Sequence, residues 1–438
     1  MFQTAGGCSI RRVFSALSMV SLAALLGACA HSSPPDPGVP KSWVVENVAS
    51  KSTAELYAEV IKPGVFERSS SKVIDGYTVE SGNLRMPDKS IGSLITVRGK
   101  DGSLTAAIEE PGKSGWFVIN SKGEGHFNLN PTENYTLPDA IVDKEELKKF
   151  KPSTTAGPYV IDMLVGFSRK AVEVGGGDAT ANALALVEGV NLALRNSQVH
   201  DVSMRLVGVQ VIEQNYPIVG DTLNKIEGLF SAGIQQYEPD MVAGVFGGHP
   251  EDNAGGYGFA PGRITINHNS MEVFRHEVGH NAGGMHCAHD GGGVFPYGYG
   301  FANGKTFTAQ CGNSSPYYST PAVRDTNGLP IGDAATADMA RVWRENAERL
   351  SSYAFGPPRN FKKTGSTITH VTFGWDPVSK AVRYDVYSTI LAGPEVKKIA
   401  EVTGLTYTVA DTFGRTIYYV KAVDADGKES KLSNGASR

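Results

Sequence analysis

The sequence predicts a multidomain protein. An α/β domain, with a mixed sheet and one helix that carries the candidate site, follows a small β-rich domain and precedes an all-β sandwich. At 438 residues the chain is too long for one ordinary domain. Short strand-like runs broken by Gly, Pro and Asn characterise residues 30–156, whereas helical and strand-like patterns alternate over residues 157–355. Residues 356–438 alternate apolar and polar residues without a helical period, which is typical of a two-sheet sandwich.

Composition narrows the classes of partner. The chain is 41% hydrophobic and 20% charged, with a formal net charge of −4. Lys and Arg are scattered, and the longest basic run is KKFK at residues 148–151. This balance argues against nucleic acid as a partner, and we expect a monomer.

The N-terminus, residues 1–29, has the pattern of a lipoprotein-type signal peptide. Two arginines precede an apolar run over residues 13–26 that is too short to span a bilayer. The run ends in LGAC, which resembles the lipobox, where the cysteine, here Cys29, is lipidated and becomes the first residue. Cleavage after the ACA sequence that ends at Ala30 is the alternative. The first interpretation predicts an outer-membrane or cell-surface lipoprotein, and the second predicts a secreted or periplasmic protein.

The cysteines suggest one disulfide. Cys8 belongs to the predicted signal peptide and Cys29 is either lipidated or removed, so Cys287 and Cys311 remain. An exported protein meets an oxidising compartment, where two remaining thiols commonly pair. We therefore expect a Cys287–Cys311 disulfide, with two buried free thiols as the alternative.

Four strand-like runs in the N-terminal region favour antiparallel hairpins. They are GSLITVRG, SLTAAIEE, GWFVINS and HFNLN, at residues 92–99, 103–110, 115–121 and 126–130.

The middle region alternates strands with helices, which favours an α/β layer with a mixed sheet. Strands are expected at residues 159–167, 202–212 and 240–247. Residues 179–196 have helical apolar spacing, and residues 334–350, rich in Ala, Arg and Glu, predict a closing helix.

The last region resembles a fibronectin type III module over roughly the last eighty residues. The residues that carry the resemblance are Trp375, Pro377, Tyr384, Val386, Tyr418 and Tyr419. Such modules serve as spacers or binding units, and a plain stabilising role is an equal alternative.

Four histidines cluster in FRHEVGHNAGGMHCAHD, residues 274–290. Within it, the first two histidines of HEVGH stand four residues apart, which places both on one face of a helix. Ser270 is the expected N-cap of that helix. Gly283 is expected to end it in a left-handed conformation and turn the chain back.

The same stretch predicts a catalytic zinc site. His276 and His280 supply two imidazoles from one helix face, and His286 supplies a third after the turn. Three neutral imidazoles with one open position form the catalytic rather than the structural pattern of zinc. Glu277 neighbours the first ligand and can take a proton from the attacking water. Cys287, next to His286 in an extended strand, is expected to point away from the ion.

HEVGHNAGGMH matches H-E-x-x-H-x-x-G-x-x-H and so resembles the zinc signature of the metzincin metallopeptidases. YVIDMLVGFSRKAV, MRLVGVQVI and PYYSTPAV extend a resemblance to the reprolysin-like (adamalysin-type) bacterial branch over about residues 158–355. The resemblance implies a mixed sheet with an active-site helix at the base of a cleft. It also implies one catalytic Zn²⁺ and hydrolysis of protein or peptide substrates by a zinc-bound water that Glu277 activates.

One position departs from the metzincin pattern. The turn beneath the zinc carries a methionine in that family, and the matching phrase KTFTAQC places Thr308 there. Met339 lies in the closing helix, where core packing is expected. Because the methionine is a floor and not a ligand, the chemistry remains available. A Cys287–Cys311 disulfide would tether the turn and restore its rigidity.

Three functions remain open. The first is an exported zinc endopeptidase, and the second is a surface lipoprotein in which a decayed peptidase scaffold presents the C-terminal module for binding. The third is a zinc hydrolase with a non-protein substrate, since fold does not dictate substrate.

Residues 41–151 lie where related enzymes carry a propeptide. They contain no cysteine, so a thiol from this region cannot cap the zinc. We therefore expect any latency to come from steric or carboxylate blocking, with cleavage within residues 148–157.

Overall fold

The computed structural model describes residues 41–45, 47–60, 64–110, 113–130, 139–153, 157–390, 395–410 and 416–437. The expected signal peptide and Cys29 lie outside the described residues, as do residues 154–156 of the expected cleavage segment. These described residues belong to one compact unit. Within the described ranges, no helix combines the length and apolarity needed to cross a membrane.

The N-terminal region is a seven-stranded antiparallel sheet, the hairpin architecture that the sequence predicts. Its strands are β1 (Lys41–Val44), β2 (Val65–Ile74), β3 (Tyr77–Arg85), β4 (Ile91–Arg98), β5 (Leu104–Glu110), β6 (Lys113–Ile119) and β7 (Glu124–Leu129), in the order β1-β7-β6-β5-β4-β3-β2. Asp75 and Gly76 join β2 to β3 with φ of 49° and 87°, the left-handed pair that a two-residue hairpin turn requires. A 3₁₀ turn (Val48–Ser50) and helix α1 (Thr53–Val60) follow β1.

Both faces of this sheet are covered. One face packs on α1 through a core that includes Leu56, Leu94 and Phe117. The other face contributes Ile95 and Trp116 to the main core of the chain. The N-terminal sheet therefore shares its hydrophobic core with the middle region.

The middle region contains the mixed sheet that the sequence predicts. Six strands, β8 (Ala140–Val142), β9 (Tyr159–Ser168), β10 (Val202–Ile212), β11 (Met241–Phe246), β12 (Gly256–Ala260) and β13 (Ile264–His268), take the order β10-β9-β11-β13-β12-β8. All neighbouring pairs are parallel except β12 with β13. The helices are α2 (Lys144–Lys149), α3 (Arg169–Val174), α4 (Ala179–Asn196), α5 (Gly220–Leu223), α6 (Ile226–Leu229), α7 (Ser231–Tyr237), α8 (Met271–Ala282) and α9 (Met339–Leu350).

Short elements complete this region: β14 (Met285–Cys287), a 3₁₀ turn (Ala288–Asp290), β15 (Tyr299–Gly300), β16 (Thr320–Arg324) and β17 (Pro330–Ile331). The bounds of α4 and β10 are those that the sequence predicts. The expected start of the last helix at residue 334 is wrong. Asp338 caps α9, its side chain accepting a hydrogen bond from the backbone N–H of Arg341.

The C-terminal region is a pair of three-stranded antiparallel sheets, in the orders β18-β19-β22 and β21-β20-β23. The strands are β18 (Lys362–Ser366), β19 (His370–Gly374), β20 (Ala381–Ile390), β21 (Lys397–Val402), β22 (Thr406–Ala410) and β23 (Thr416–Asp424). Phe373, Val386 and Val420 are buried in the core between the sheets. This is the two-sheet arrangement expected from the apolar alternation.

Helix α8 lies where the main layers meet. It packs against α4, β12 and β13, and it contacts β5 of the N-terminal sheet. Its Arg275 is fully buried and donates to both carboxylate oxygens of Glu109 on β5, at 2.9 and 2.8 Å. The helix with the predicted zinc motif is thus held between the mixed sheet and the N-terminal sheet.

Candidate metal centre

Both predicted ends of helix α8 are confirmed. The side chain of Ser270 accepts a hydrogen bond from the backbone N–H of Val273, as an N-cap does. Gly283 has φ of 116° and ends the helix in the left-handed region that favours glycine. The chain then turns back into β14, which carries His286.

The three predicted histidines converge. The Nε2 atoms of His276 and His280 lie 3.1 Å apart, and the ring of His286 stacks on that of His276 with centroids 5.2 Å apart. The Nδ1 atoms point outward, that of His276 to the carbonyl of Ala309 at 2.6 Å and that of His280 to the carbonyl of Gly284 at 2.7 Å. Because a carbonyl only accepts, each Nδ1 carries the proton, and each Nε2 presents a lone pair to the shared space.

This donor set fits a zinc ion. Two nitrogen ligands of a tetrahedral zinc, at about 2.0–2.1 Å from the metal, lie about 3.3 Å apart. The 3.1 Å between His276 and His280 is close to that separation. Burial lowers the pKa of His280 to about 4, so its imidazole is neutral at neutral pH, as a metal ligand must be.

Sequence reasoning missed one member of the cluster, Asp139. Its Oδ1 lies 2.6 Å from Nε2 of His286 and 3.3 Å from that of His280, and its Oδ2 lies 3.5 Å from that of His276. The ligand atoms of all four residues lie within 4.8 Å of one another. Burial raises the pKa of Asp139, but its close contacts with the three imidazoles outweigh burial and hold that pKa below its ordinary value.

The carboxylate also acts on the third histidine. Burial lowers the pKa of His286, but the hydrogen bond and charge of Asp139 outweigh burial and raise it. The absence of cysteine from the N-terminal region favoured a carboxylate block, but no sequence motif marks Asp139 among the 45 acidic residues of the chain.

The predicted general base, Glu277, is fully buried on α8. Its carboxylate lies against Gly256 on β12, where a Cβ atom would overlap it. Burial raises the pKa of Tyr257, and the charges of Asp139 and Glu277 add to that shift. The two carboxylates therefore lie near the same phenol, beside strand β12.

Polar contacts form the floor of the site, where the metzincin pattern has a methionine. Thr308 is buried, and its Oγ1 accepts from the backbone N–H of Phe301 at 2.8 Å. The backbone N–H of Cys311 donates to the carbonyl of Thr308, which closes a tight turn. Ala309 of this turn holds His276 through its carbonyl, and Gln310 donates to the backbone carbonyl of His276 at 2.8 Å.

The structure joins Cys287 to Cys311 in a disulfide, with Cα atoms 4.8 Å apart. It links the strand that carries His286 to the turn that holds His276. Met339 is buried in the main core, against Gly284, whose carbonyl accepts from His280.

The other histidines and acids near the motif play local parts. His289 is 81% exposed. His268 ends β13 and lies 2.8 Å from Oδ2 of Asp252. Asp290 accepts from the backbone N–H of Cys287 at 3.1 Å and so fixes the loop after the third histidine.

The site coincides with a family match. The family model described as Peptidase M66 matches residues 213–308, the segment with α8 and all three histidines. Peptidases of that family are zinc-dependent in general. The match supports a peptidase, but it does not single out the reprolysin-like metzincins that the sequence resembles.

Other relatives match only parts of the chain. An amylopullulanase of Thermoanaerobacter thermohydrosulfuricus is 43% identical over 135 residues, which is 30% of this chain and 8% of that protein. A chain in a solved chaperone–substrate complex is 23% identical with a TM-score of 0.40, and covers 59% of this chain and 41% of its own. A Fn3-like protein from Clostridium thermocellum is 25% identical with a TM-score of 0.17, and covers 19% and 88%. Likenesses at these TM-scores support no functional conclusion.

Proposed function

We propose that the chain is an exported zinc-dependent endopeptidase that hydrolyses peptide bonds of proteins. The observation that carries the proposal is the convergence of three Nε2 atoms, from His276, His280 and His286, on one another beside the buried Glu277. The Peptidase M66 match over the same segment supports it. A finer assignment to the reprolysin-like metzincins remains part of the proposal.

Zinc held by the three histidines would supply a Lewis acid that polarises the scissile carbonyl and lowers the pKa of water. The chain supplies the proton transfers. Glu277, next to His276 on the same helix, takes a proton from the attacking water and returns it to the leaving amine. Burial among Gly256 and the core of α8 holds its carboxylate in one orientation, which a general base requires.

Glu277→Ala tests this function. The variant should keep about one zinc per chain and lose about 10²–10⁴-fold in rate, the usual contribution of a general base. Glu272→Ala is the matched control. It makes the same change on the same helix, at a carboxylate that accepts a hydrogen bond from Ser114 of the N-terminal sheet. Removal of zinc with a chelator should abolish activity, and added zinc should restore it.

The substrate for the assay is an unfolded protein, offered before and after a cut within residues 148–157. The binding-lipoprotein alternative predicts that Glu277→Ala changes nothing measurable. A wild-type chain that holds zinc yet cleaves no unfolded protein in either state contradicts the peptidase proposal. In that case, a non-protein substrate or a pure binding role remains.

Export is a second component of the proposal, and the apolar run before Cys29 supports it. Fatty-acid labelling that disappears in Cys29→Ser supports the outer-membrane or cell-surface lipoprotein. A mature N-terminus after Ala30 without label supports the secreted or periplasmic form.

A further inference from the structure

Asp139 takes the place that a catalytic site keeps open. Three histidine ligands leave a tetrahedral zinc one position, which in a catalytic centre belongs to water or substrate. Carboxylate oxygens bind zinc at about the same distance as imidazole nitrogens. The Asp139 carboxylate lies within 3.5 Å of each of the three Nε2 atoms and is 3% exposed, so it is placed to fill that position.

The segment that carries Asp139 also covers the edge of the mixed sheet. We define the strap as residues 139–143, which comprise Asp139, strand β8 and Asp143. The backbone N–H of Gly258 donates to Asp139 at 3.0 Å, and that of Asp143 donates to Ala260 at 3.1 Å. Without the strap, β12 would be an edge strand with free backbone groups, the kind of edge on which an extended peptide adds as a strand.

We propose that the strap keeps the chain latent, with Asp139 as the fourth zinc ligand, and that activation displaces the strap while the N-terminal sheet stays in place. The proposal rests on the zinc-peptidase function proposed above and states how that site is regulated.

The N-terminal sheet is too firmly built into the site to leave. The guanidinium of Arg275, directly before the first zinc ligand, depends on Glu109 of β5 for two hydrogen bonds. Trp116 of β6 donates its indole N–H to the carbonyl of Asn269, next to the N-cap of α8, at 2.7 Å. Departure of the sheet would leave the Arg275 guanidinium without its carboxylate and would expose one side of the main core.

The strap is held far more lightly. Of its three strand residues, none is fully buried, and Val142 is 37% exposed. Helix α2, which follows it, contributes no buried residue. Ile141 of the strap, and Leu147 and Phe150 after it, pack on the cores while only half-buried. Segments without fully buried apolar side chains open at a small fraction of the global free energy of unfolding. Asp139 is therefore the main anchor of the strap.

A cut after α2 would free the strap without releasing the sheet. Downstream of the strap, Phe150 packs on Phe295 with ring centroids 4.6 Å apart, and Ser153 donates its backbone N–H to Glu345 of α9. A cut between Phe150 and Ser153, within residues 148–157, leaves the Phe150 ring contact on the strap side and separates the strap from Ser153 and the chain that follows. Two fragments should then remain associated through the shared core.

Cobalt(II) in place of zinc gives a readout that does not depend on activity, because its visible absorption reports the ligands of the metal. In the wild-type protein, Asp139 should exclude added azide, and the spectrum should not change. Asp139→Asn should have an altered spectrum that responds to azide, and it should lose metal to a chelator about tenfold faster. Asp88→Asn, the same change in an exposed turn of the N-terminal sheet, should behave as wild type.

Equal spectra and equal azide responses for wild type and Asp139→Asn would overturn the proposal. If Asp139→Asn does not fold, a wild-type chain with a site-specific protease sequence in place of residues 151–156 gives the same measurement, since cutting it should make the cobalt accessible to azide. No azide response after that cut would also overturn the proposal. So would separation of the two fragments, with loss of the N-terminal sheet, on gel filtration in buffer.

Cleavage of an unfolded protein separates this proposal from the function on which it rests. If the strap leaves the site open about 1% of the time, Asp139→Asn should cleave about a hundredfold faster than wild type. An Asp139→Asn protein with open coordination and no cleavage supports Asp139 as the ligand and contradicts the peptidase function. Equal cleavage by wild type and Asp139→Asn contradicts latency and leaves the peptidase function intact.

Discussion

The buried pair of Arg275 and Glu109 gives a quantitative test of how the N-terminal sheet supports the site. Arg275 is 0% exposed and Glu109 is 3% exposed. Ser93 donates a further hydrogen bond to the carboxylate at 2.8 Å, and Asn313 accepts one from the guanidinium at 2.7 Å. Burial lowers the pKa of Arg275, but the charge of Glu109 outweighs burial and raises it, so the guanidinium stays charged.

Glu109→Gln removes the negative charge and leaves the shape. The guanidinium then remains buried with an amide in place of its carboxylate, which should destabilise the chain by about 3–5 kcal/mol. Glu110→Gln is the matched control, because the neighbouring carboxylate is also buried but accepts from the neutral hydroxyl of Tyr57 at 2.7 Å. A glutamine can still accept that bond, so the control should cost about 1 kcal/mol or less.

Urea unfolding followed by tryptophan fluorescence measures both variants, since Trp116 and Trp343 are buried in the main core. Adding Arg275→Met to Glu109→Gln removes the stranded cation and should recover much of the lost stability, as a double-mutant cycle would show. Equal losses for Glu109→Gln and Glu110→Gln would refute the reasoning. The N-terminal sheet would then not be coupled to α8 through this pair.

Two further predictions concern the surroundings of the proposed metal site. Gly256→Ala should displace the Glu277 carboxylate and lower the rate about 10²-fold with metal content unchanged, whereas Gly228→Ala, where a Cβ meets open space, should keep full activity. A rate for Gly256→Ala equal to wild type would show that the carboxylate has room to move. Reduction of the Cys287–Cys311 disulfide should lower the free energy of unfolding by about 3 kcal/mol, since it closes a loop with a sequence separation of 24. Unchanged urea unfolding after the disulfide has been reduced to two thiols, verified by mass, would contradict this prediction.

The local part of the site was predictable because its geometry is encoded by sequence spacing. The spacing of four residues from His276 to His280 specifies one face of a helix, and Ser270 and Gly283 mark the ends of that helix by backbone chemistry alone. The strands and the helix α4 followed from apolar periodicity in the same way. These features depend on contacts within one turn or one strand.

Asp139 could not be found in this way. Its role depends on the parallel pairing of β8 with β12, which brings together residues more than a hundred positions apart in the sequence. A three-residue strand has too little periodicity to be recognised, and a single carboxylate has no spacing partner. The start of α9 shows the same limit, since Asp333 and Ala337 exchange backbone hydrogen bonds in a turn and the helix begins only after its cap at Asp338.

The N-terminal region shows how a correct local prediction can leave the organisation of a chain undetermined. Its hairpins were evident, but the run SLTAAIEE ends in two glutamates, a pattern typical of a strand end at the surface. In the structure every residue of β5 is buried, because each glutamate finds a specific partner, Arg275 for Glu109 and Tyr57 for Glu110. Buried carboxylates are retained only where such partners offset their desolvation. One partner belongs to α8, so the sheet that resembles a removable propeptide in the sequence also supports the residue next to His276, the first proposed zinc ligand.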